Sequence, residues 1–267
     1  MCNLHRLQPG EPVALDELST RGKTFCSDRE QAEADFKKLR HELCDWQSRL
    51  YAADNKKLLV VLQALDAGGK DGTIRRVFQG VNPQGVRVTS FKKPAAHELR
   101  HDYLWRVHRA VPAAGMIGVF NRSHYEDVLA VRVHDVVPEA VWRPRFDQIN
   151  QFESLLTSTG TTIVKIFLHI SKKEQKKRFE ERLQIPEKNW KFSIDDLEKR
   201  KYWTAYRGAF QEMLERCTTT HAPWHVIPAD QKWYRNLAIT NLLVTTLREM
   251  NPQYPPAPKG LEDVVVD

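Results

Sequence analysis

The sequence predicts an α/β fold of three layers, in which a mostly parallel sheet is covered by helices on both faces. Short apolar runs rich in β-branched residues alternate with helical patterns, and the runs lie at residues 58–62, 86–91, 116–120, 163–169 and 224–227. Strands that alternate with helices are joined by right-handed crossovers, which place helices on both sides of the sheet. Such sheets bind ligands beyond the carboxyl ends of their strands.

The first element is a long amphipathic helix over residues 27–51. Its apolar positions recur every three or four residues, at Phe36, Leu39, Leu43, Trp46 and Leu50. That spacing places them on one face of a helix. Ser27 and Glu30 have the spacing of a capping box, which predicts that the helix begins at Ser27.

A glycine-rich segment follows the first strand and precedes the next helix. Residues 64–73 read ALDAGGKDGT. A turn of this kind presents free backbone N–H groups to an anion at the positive end of the helix dipole, and Lys70 adds a full charge. The segment thus predicts a phosphate-binding loop (P-loop) formed by Gly68, Gly69, Lys70, Asp71, Gly72 and Thr73. Ala64 and Asp71 depart from the GxxxxGKS/T pattern, so an ordinary strand-to-helix connection is the alternative.

A second polar segment begins where the third strand ends. Residues 120–127 read FNRSHYED, and they lie beside the loop if the two strands are neighbours. P-loop phosphotransferases commonly carry a magnesium-binding aspartate here, and this chain has Asn121. Arg122 suits bidentate contact with phosphate. Ser123 and Glu126 also fit a helix cap.

A competing motif lies at residues 97–101, which read HELRH and match the HExxH signature of zinc proteases. The pattern fixes only three positions, and no third ligand follows at a suitable spacing. We therefore favour a surface helix whose Leu99, Tyr103, Leu104 and Val107 face the sheet.

The charge of the chain indicates a polyanionic partner. The chain of 267 residues carries 41 Lys and Arg against 34 Asp and Glu, a net charge of +7. Nucleic acid, acidic lipid and polyphosphate all fit such a balance. Residues 171–201 hold eleven basic and seven acidic residues, although a solvated helix face has the same composition. No run is long enough to span a membrane and no signal peptide is evident, so we expect a cytoplasmic protein.

Several motifs together resemble the polyphosphate kinase 2 family, from about residue 56 to residue 249. They are the loop at 66–72, the segment at 120–125, residues 171–175 with Arg178 and Arg182, Trp190, Lys191, Asp195 or Asp196, Trp203, Tyr206, Ala209 and residues 222–224. The resemblance implies one P-loop kinase-like domain over residues 1–267. Within it, residues 1–54 are expected to form an N-terminal helical extension, 171–201 a helical lid and 251–267 a tail.

The family resemblance also implies an activity. Members transfer phosphoryl groups between inorganic polyphosphate and nucleotides with Mg²⁺, usually as homo-oligomers. We expect direct in-line transfer of the terminal phosphoryl group to ADP or AMP and the reverse reaction. The resemblance leaves open the choice between ADP and AMP and the use of guanine nucleotides. It implies no role for a membrane or for nucleic acid.

The resemblance assigns roles to individual residues. Asp66 and Lys70 are expected to be essential for catalysis, and Asp66 and Asn121 to hold Mg²⁺ directly or through water. The other candidates contact the transferred phosphate or lie near the acceptor nucleotide; the first group comprises Arg122, Arg178 and Arg182, and the second Glu126 and Asp127.

Two other functions also fit the sequence. An ATP-dependent P-loop kinase with a small-molecule acceptor would share the loop but need no polyphosphate. A non-enzymatic protein that binds nucleic acid or another polyanion would explain the positive charge, and its affinity would not depend on Lys70.

Overall fold

A five-stranded parallel sheet forms the centre of the molecule. The computed structural model describes residues 4–261, 264 and 266, without the side chains of residues 194–196 and 199. The strands are β1 (Lys57–Ala64), β2 (Val86–Ser90), β3 (Ile117–Asn121), β4 (Thr161–His169) and β5 (Trp224–Pro228), in the order β2-β3-β1-β4-β5. All four neighbouring pairs are parallel. The predicted fold class and all five predicted strands are confirmed.

Helices cover both faces of this sheet. They are α1 (Arg29–Ala53), α2 (Lys70–Val77), α3 (Trp105–His108), α4 (Ala130–Val133), α5 (Glu139–Trp142), α6 (Arg145–Ser158), α7 (Lys172–Gln184), α8 (Pro186–Asn189), α9 (Ile194–Lys201), α10 (Trp203–Arg216) and α11 (Lys232–Met250). Alternate residues of β1 point to opposite faces. Leu58 and Val60 pack with α1, α2 and α11, whereas Leu59 and Val61 pack with α6 and α10. None of these helices in the described part combines the length and apolar character that a bilayer crossing requires.

The start of α1 differs from the prediction. Asp28, not Ser27, is the N-cap, and its carboxylate accepts a hydrogen bond from the Gln31 backbone N–H at 2.9 Å. Both residue types are good N-caps, so the sequence pattern alone could not separate two adjacent candidates. Of the predicted helical extension over residues 1–54, residues 29–53 form an α-helix.

Residues 4–25 form an N-terminal strap across the outer edge of β5. Arg6 pairs with His225 in an antiparallel bridge, and the Leu7 N–H donates to the Trp224 carbonyl oxygen at 2.9 Å. Further along, the Thr20 hydroxyl donates to the Asp230 carboxylate at 2.8 Å. The other carboxylate oxygen of Asp230 accepts from the backbone N–H of Ser171, the N-cap of α7. The strap therefore contacts the segment from which α7 begins.

The HExxH segment does not form the helix that zinc binding needs. Residues 98–100 make a single 3-10 turn, and the His101 ring stacks on Trp105 with the ring centroids 4.0 Å apart. The Glu98 carboxylate accepts from the Ala95 N–H at 2.7 Å. Leu99 is 69% exposed, so the prediction that it faces the sheet was wrong, whereas Val107 is buried.

A buried ionic cluster lies beneath the end of β3. The Lys165 ammonium donates to Glu153 at 2.6 Å and to the Tyr125 hydroxyl at 2.8 Å, and the His124 ring lies 3.2 Å from the same Glu153 carboxylate. Burial alone would raise the pKa of Glu153, but Lys165 and His124 hold that pKa below its usual value. Residues 124–127 form a 3-10 helix, which Ser123 caps. The cluster therefore anchors the segment that carries Arg122.

We predict that Glu153→Gln lowers the free energy of unfolding by about 3–5 kcal/mol, because it leaves the buried Lys165 charge without its counter-ion. Urea denaturation measures this change. Glu198→Gln is the matched control, since Glu198 pairs with Lys201 at an exposed site and such pairs contribute little. Equal, small effects of the two substitutions would contradict the prediction.

Candidate active site

The glycine-rich loop connects β1 to α2 at the carboxyl edge of the sheet. Two residues before the helix adopt left-handed backbone conformations, Ala67 with φ 58° and Gly69 with φ 105°. A β-carbon at Gly68 would lie 2.5 Å from the Ala64 β-carbon, so the loop must close on a glycine there. Gly69 is the N-cap of α2, and Thr73 donates back to its carbonyl oxygen at 3.0 Å. The first N–H groups of α2 therefore face the loop without intrahelical acceptors.

Lys70 is the first residue of α2, and its side chain is buried. Its ammonium group donates to the Ala64 carbonyl oxygen at 3.0 Å. Burial and the nearby Arg122 lower the pKa of Lys70 to about 8, although Asp66, Glu126 and Asp71 act in the opposite direction. Lys70 is thus a buried cation whose charge is sensitive to mildly alkaline pH.

The register of the sheet brings the second polar segment to the loop. Leu62 of β1 pairs with Asn121 of β3, so the two strands end side by side. The Asn121 amide donates to the Asp71 carboxylate at 2.7 Å, and the Arg122 guanidinium donates to Asp66 at 2.7 Å. Arg122 has φ 62°, which costs a residue with a β-carbon about 1–3 kcal/mol. Its backbone N–H donates to the Leu62 carbonyl oxygen. This hydrogen bond and the ion pair with Asp66 together offset the strain.

Arg178 of α7 holds the loop from the other side, and it is 6% exposed. Its Nε donates to Glu174 at 2.8 Å, and Nη1 donates to the carbonyl oxygens of Ala67 and Gly68 at 3.0 and 2.9 Å. Nη2 donates to the carbonyl oxygens of residues 229 and 230. An arginine has five N–H groups, so each of them has a protein acceptor. In this structure the Arg178 guanidinium fixes the loop backbone, and its contact with the transferred phosphate stays a prediction.

Of the other predicted residues, Glu126 lies near Arg122 and helps to raise its pKa, whereas Arg182 and Asp127 contact residues outside the loop. Arg182 is one turn further along α7, with its guanidinium 5.3 Å from the centroid of the Phe179 ring. Asp127 turns away from the loop and pairs with Arg145 at 3.2 Å. Burial raises the pKa of Asp127 to about 6, although Arg145 acts to lower it. The side chains of Asp195 and Asp196 lie outside the described part of the structure.

Two clefts open on either side of these residues. The basic cleft, about 1740 Å³, extends from the loop between α1, α2, α7 and α8 to residues 230–236. Its described lining holds fifteen Lys and Arg against seven Asp and Glu, an excess that accounts for the whole net charge of +7 of the chain. The side pocket, about 730 Å³, has apolar walls that include Phe91, Leu129 and Phe210. Asp66, Phe91, Lys92 and Arg122 line both clefts.

The loop region offers oxygen ligands to a metal ion. The carboxylates of Asp66 and Asp71 and the amide oxygen of Asn121 are hard donors of the kind that Mg²⁺ prefers. In the described residues no three His, Cys, Asp or Glu side chains form a metal-binding group. A donor set of one or two carboxylates fits Mg²⁺, which usually completes its shell with substrate phosphates and water.

Comparison with known proteins identifies the family. The model of the family described as polyphosphate kinase 2 matches residues 26–255. The chain belongs to the polyphosphate kinase 2 family. The family predicted from the motifs is thereby confirmed, as is the enzyme class, that of a polyphosphate-dependent phosphotransferase.

Individual members of the polyphosphate kinase 2 family are similar over most of the chain. An AMP/ADP-polyphosphate phosphotransferase from Meiothermus ruber is 54% identical over 221 residues, 83% of each protein. An ADP-polyphosphate phosphotransferase from Rhodopseudomonas palustris is 43% identical over 94% of this chain and 91% of its own. The crystal structure of polyphosphate kinase 2 from Arthrobacter aurescens superposes with a TM-score of 0.91 at 42% identity, over 95% of this chain and 91% of that one.

Two residues that belong to none of the predicted motifs lie near the loop in the structure. Asp230 connects the strap to the start of α7, and Arg235 of α11 lies against Gly69. A signal for Arg235 was present, because it is the single charged residue in the largely apolar segment 234–244. The identity of its neighbour, however, depends on the fold.

The lowered pKa of Lys70 gives a pH prediction. Only the ammonium form attracts phosphate, so kcat/KM for polyphosphate should fall about tenfold per pH unit above pH 8. Bound phosphate stabilises the charged form, so kcat should fall only at higher pH. Initial rates from pH 6 to 10 at limiting and at saturating polyphosphate test both statements. A kcat/KM that stays level to pH 9.5 would show that Lys70 keeps its charge.

Proposed function

We propose that this protein transfers the terminal phosphoryl group of inorganic polyphosphate to ADP, and in a second reaction to AMP. The observation that supports this proposal most strongly is that the two clefts meet at Asp66 and Arg122. A long cleft with an excess of cations suits a polymer with about one negative charge per phosphate. A pocket of about 730 Å³ with apolar walls is of the size that single small ligands occupy.

In this proposal each substrate occupies one of the two clefts. Polyphosphate lies in the basic cleft with its terminal phosphate in the loop, where Lys70 and the N–H groups of α2 hold it. The nucleotide lies in the side pocket, where Phe91 and Tyr206 flank the base. Its terminal phosphate then reaches the junction at Arg122. The names of the Meiothermus ruber and Rhodopseudomonas palustris relatives both include ADP, and the first also includes AMP.

The chemistry asks little of the protein beyond positioning and charge. Phosphoryl transfer needs the attacking and leaving oxygens in line and the charge on the equatorial oxygens neutralised. Lys70 holds the donor phosphate, and Arg122 stands between donor and acceptor, oriented by Asp66. Asp66 and Asn121 would hold Mg²⁺ directly or through water, and the bound ion would supply further positive charge at the phosphate oxygens. We infer direct transfer without a phosphoenzyme, and a phosphorylated side chain trapped during turnover would contradict it.

The deciding experiment mixes the purified protein with long-chain polyphosphate, Mg²⁺ and either ADP or AMP, and follows ATP by luminescence. ATP from ADP is expected, and formation of ADP and then ATP from AMP would establish the second acceptor. Omission of polyphosphate should abolish both reactions. Phosphorylation of a small molecule by ATP alone would instead favour an ATP-dependent kinase.

A non-enzymatic nucleic-acid binder is the less favoured candidate. The excess positive charge is concentrated in a cleft next to the loop rather than spread over an open face. A salt-sensitive affinity for nucleic acid that survives Lys70→Ala would support that candidate. The homo-oligomeric state and the single-domain organisation remain predictions from the family resemblance, and size-exclusion chromatography with light scattering measures the first.

A further inference from the structure

Arg235 is a buried cation on α11 that packs directly against the loop. It is 3% exposed. A β-carbon placed on Gly69 would lie 2.2 Å from Nη1 of Arg235 and 3.3 Å from Nη1 of Arg178. The two guanidinium groups therefore converge on the same glycine, whose φ of 105° also disfavours a side chain at position 69.

Arg235 has neutral partners. Its Nε and Nη2 both donate to the side-chain oxygen of Asn236, at 3.2 and 2.9 Å, and Nη1 donates to the Gly69 carbonyl oxygen at 3.4 Å. In the part of the chain that the structure describes, no carboxylate forms an ion pair with it. Burial and the charge of Arg178 lower the pKa of Arg235 to about 9. In contrast, the Nε of Arg178 meets the Glu174 carboxylate.

An unpaired buried charge is unfavourable, and a second cation beside it increases the cost. Neutralisation of the site requires an anion within a few ångströms of Gly69. The loop itself provides the place for that anion, because the N–H groups of α2 and Lys70 converge there. Arg235 and the loop also line the same basic cleft.

We propose that Arg235 is a further determinant of polyphosphate binding. Its charge, which has no carboxylate partner among the described residues, lies against the backbone of Gly69 and attracts the phosphate that the loop holds. The proposal rests on the proposed function, in which the loop holds the donor polymer. It assigns to α11 a role in binding polyphosphate but not the nucleotide, since Arg235 lines the basic cleft and not the side pocket.

The test uses the full chain with Arg235→Met, which keeps the length of the side chain and removes the charge. Arg248→Met is the matched control, because Arg248 lies on the same helix and pairs with Glu42 outside both clefts. Thermal unfolding is measured with and without inorganic tripolyphosphate, and KM is measured for polyphosphate and for ADP.

Loss of the charge is expected to leave the melting temperature of the free protein unchanged or raised, and to remove at least half of the stabilisation by tripolyphosphate. KM for polyphosphate should rise about tenfold, the effect of one such charge interaction, with KM for ADP unchanged. Arg248→Met should keep the full tripolyphosphate shift.

A lower melting temperature with an undiminished tripolyphosphate shift would show a merely structural role and overturn the proposal. Should Arg235→Met not fold, Arg235→Gln removes the same charge and should show the same loss of shift; an undiminished shift in it overturns the proposal too. The shift does not depend on turnover, so it tests Arg235 even if the wild-type protein makes no ATP from polyphosphate, a result that would contradict only the proposed function.

Discussion

Replacement of Lys70 by methionine is expected to lower kcat for polyphosphate-dependent ATP formation by about 10³-fold, the upper range for loss of one preorganised charge in an active site. Lys70 is the only residue of the loop segment 66–73 with a cationic side chain. Its buried position next to the N-terminus of α2 leaves little water to replace the lost charge. The effect should therefore fall on the chemical step as well as on binding.

Steady-state kinetics with polyphosphate and ADP measure the loss. Lys38→Met is the control, because Lys38 is an exposed lysine of α1 that lines neither cleft, and its rate should equal that of the wild type. Circular dichroism should show the same helix content in all three proteins. A Lys70→Met enzyme within tenfold of the wild type would remove the loop from the catalytic site.

Arg178→Lys is expected to lower kcat/KM for polyphosphate by about 10²-fold, although it preserves the charge. A lysine has three donors and cannot reproduce the planar fork that spans Ala67, Gly68 and residues 229–230. Several buried carbonyl oxygens would lose their donors, and the loop would no longer be fixed for in-line transfer.

This substitution separates two roles for Arg178. If the guanidinium serves mainly as a positive charge near the transferred phosphate, lysine should retain most of the activity. If it positions the loop, the loss should be large, and amide hydrogen exchange of residues 66–70 should become faster. Arg248→Lys is the matched control, because it makes the same substitution away from the loop. Unchanged exchange together with a wild-type rate would contradict the positioning role.

Local patterns were sufficient to predict the sheet and the loop. The five strands are short apolar runs with clear boundaries, and the glycines at 68 and 69 mark a tight turn. Gly69 has φ 105°, and a β-carbon at Gly68 would lie 2.5 Å from that of Ala64. The start of α1 was misplaced by one residue because Ser27 and Asp28 are equally plausible caps. The Leu99 prediction was wrong because a 3-10 turn replaces the helix that the spacing assumed.

Long-range contacts explain what the sequence did not reveal. Arg178 was recognised as a candidate, but its carbonyl acceptors are about fifty to over a hundred residues away in the chain. Arg235 and Gly69 are 166 residues apart. No spacing rule connects such positions, and only the strand order brings α7 and α11 to the loop after β1.

The N-terminal strap imposes an order on the folding of the protein during synthesis. Thr20 and its partner Asp230 are separated by 210 residues, which a ribosome takes about 10 to 40 s to add. The strap is therefore synthesised before β5 and can pair only after β5 has been made. Until β5 and Asp230 have been synthesised, the junction at the start of α7 cannot close, and the basic cleft beside it is incomplete.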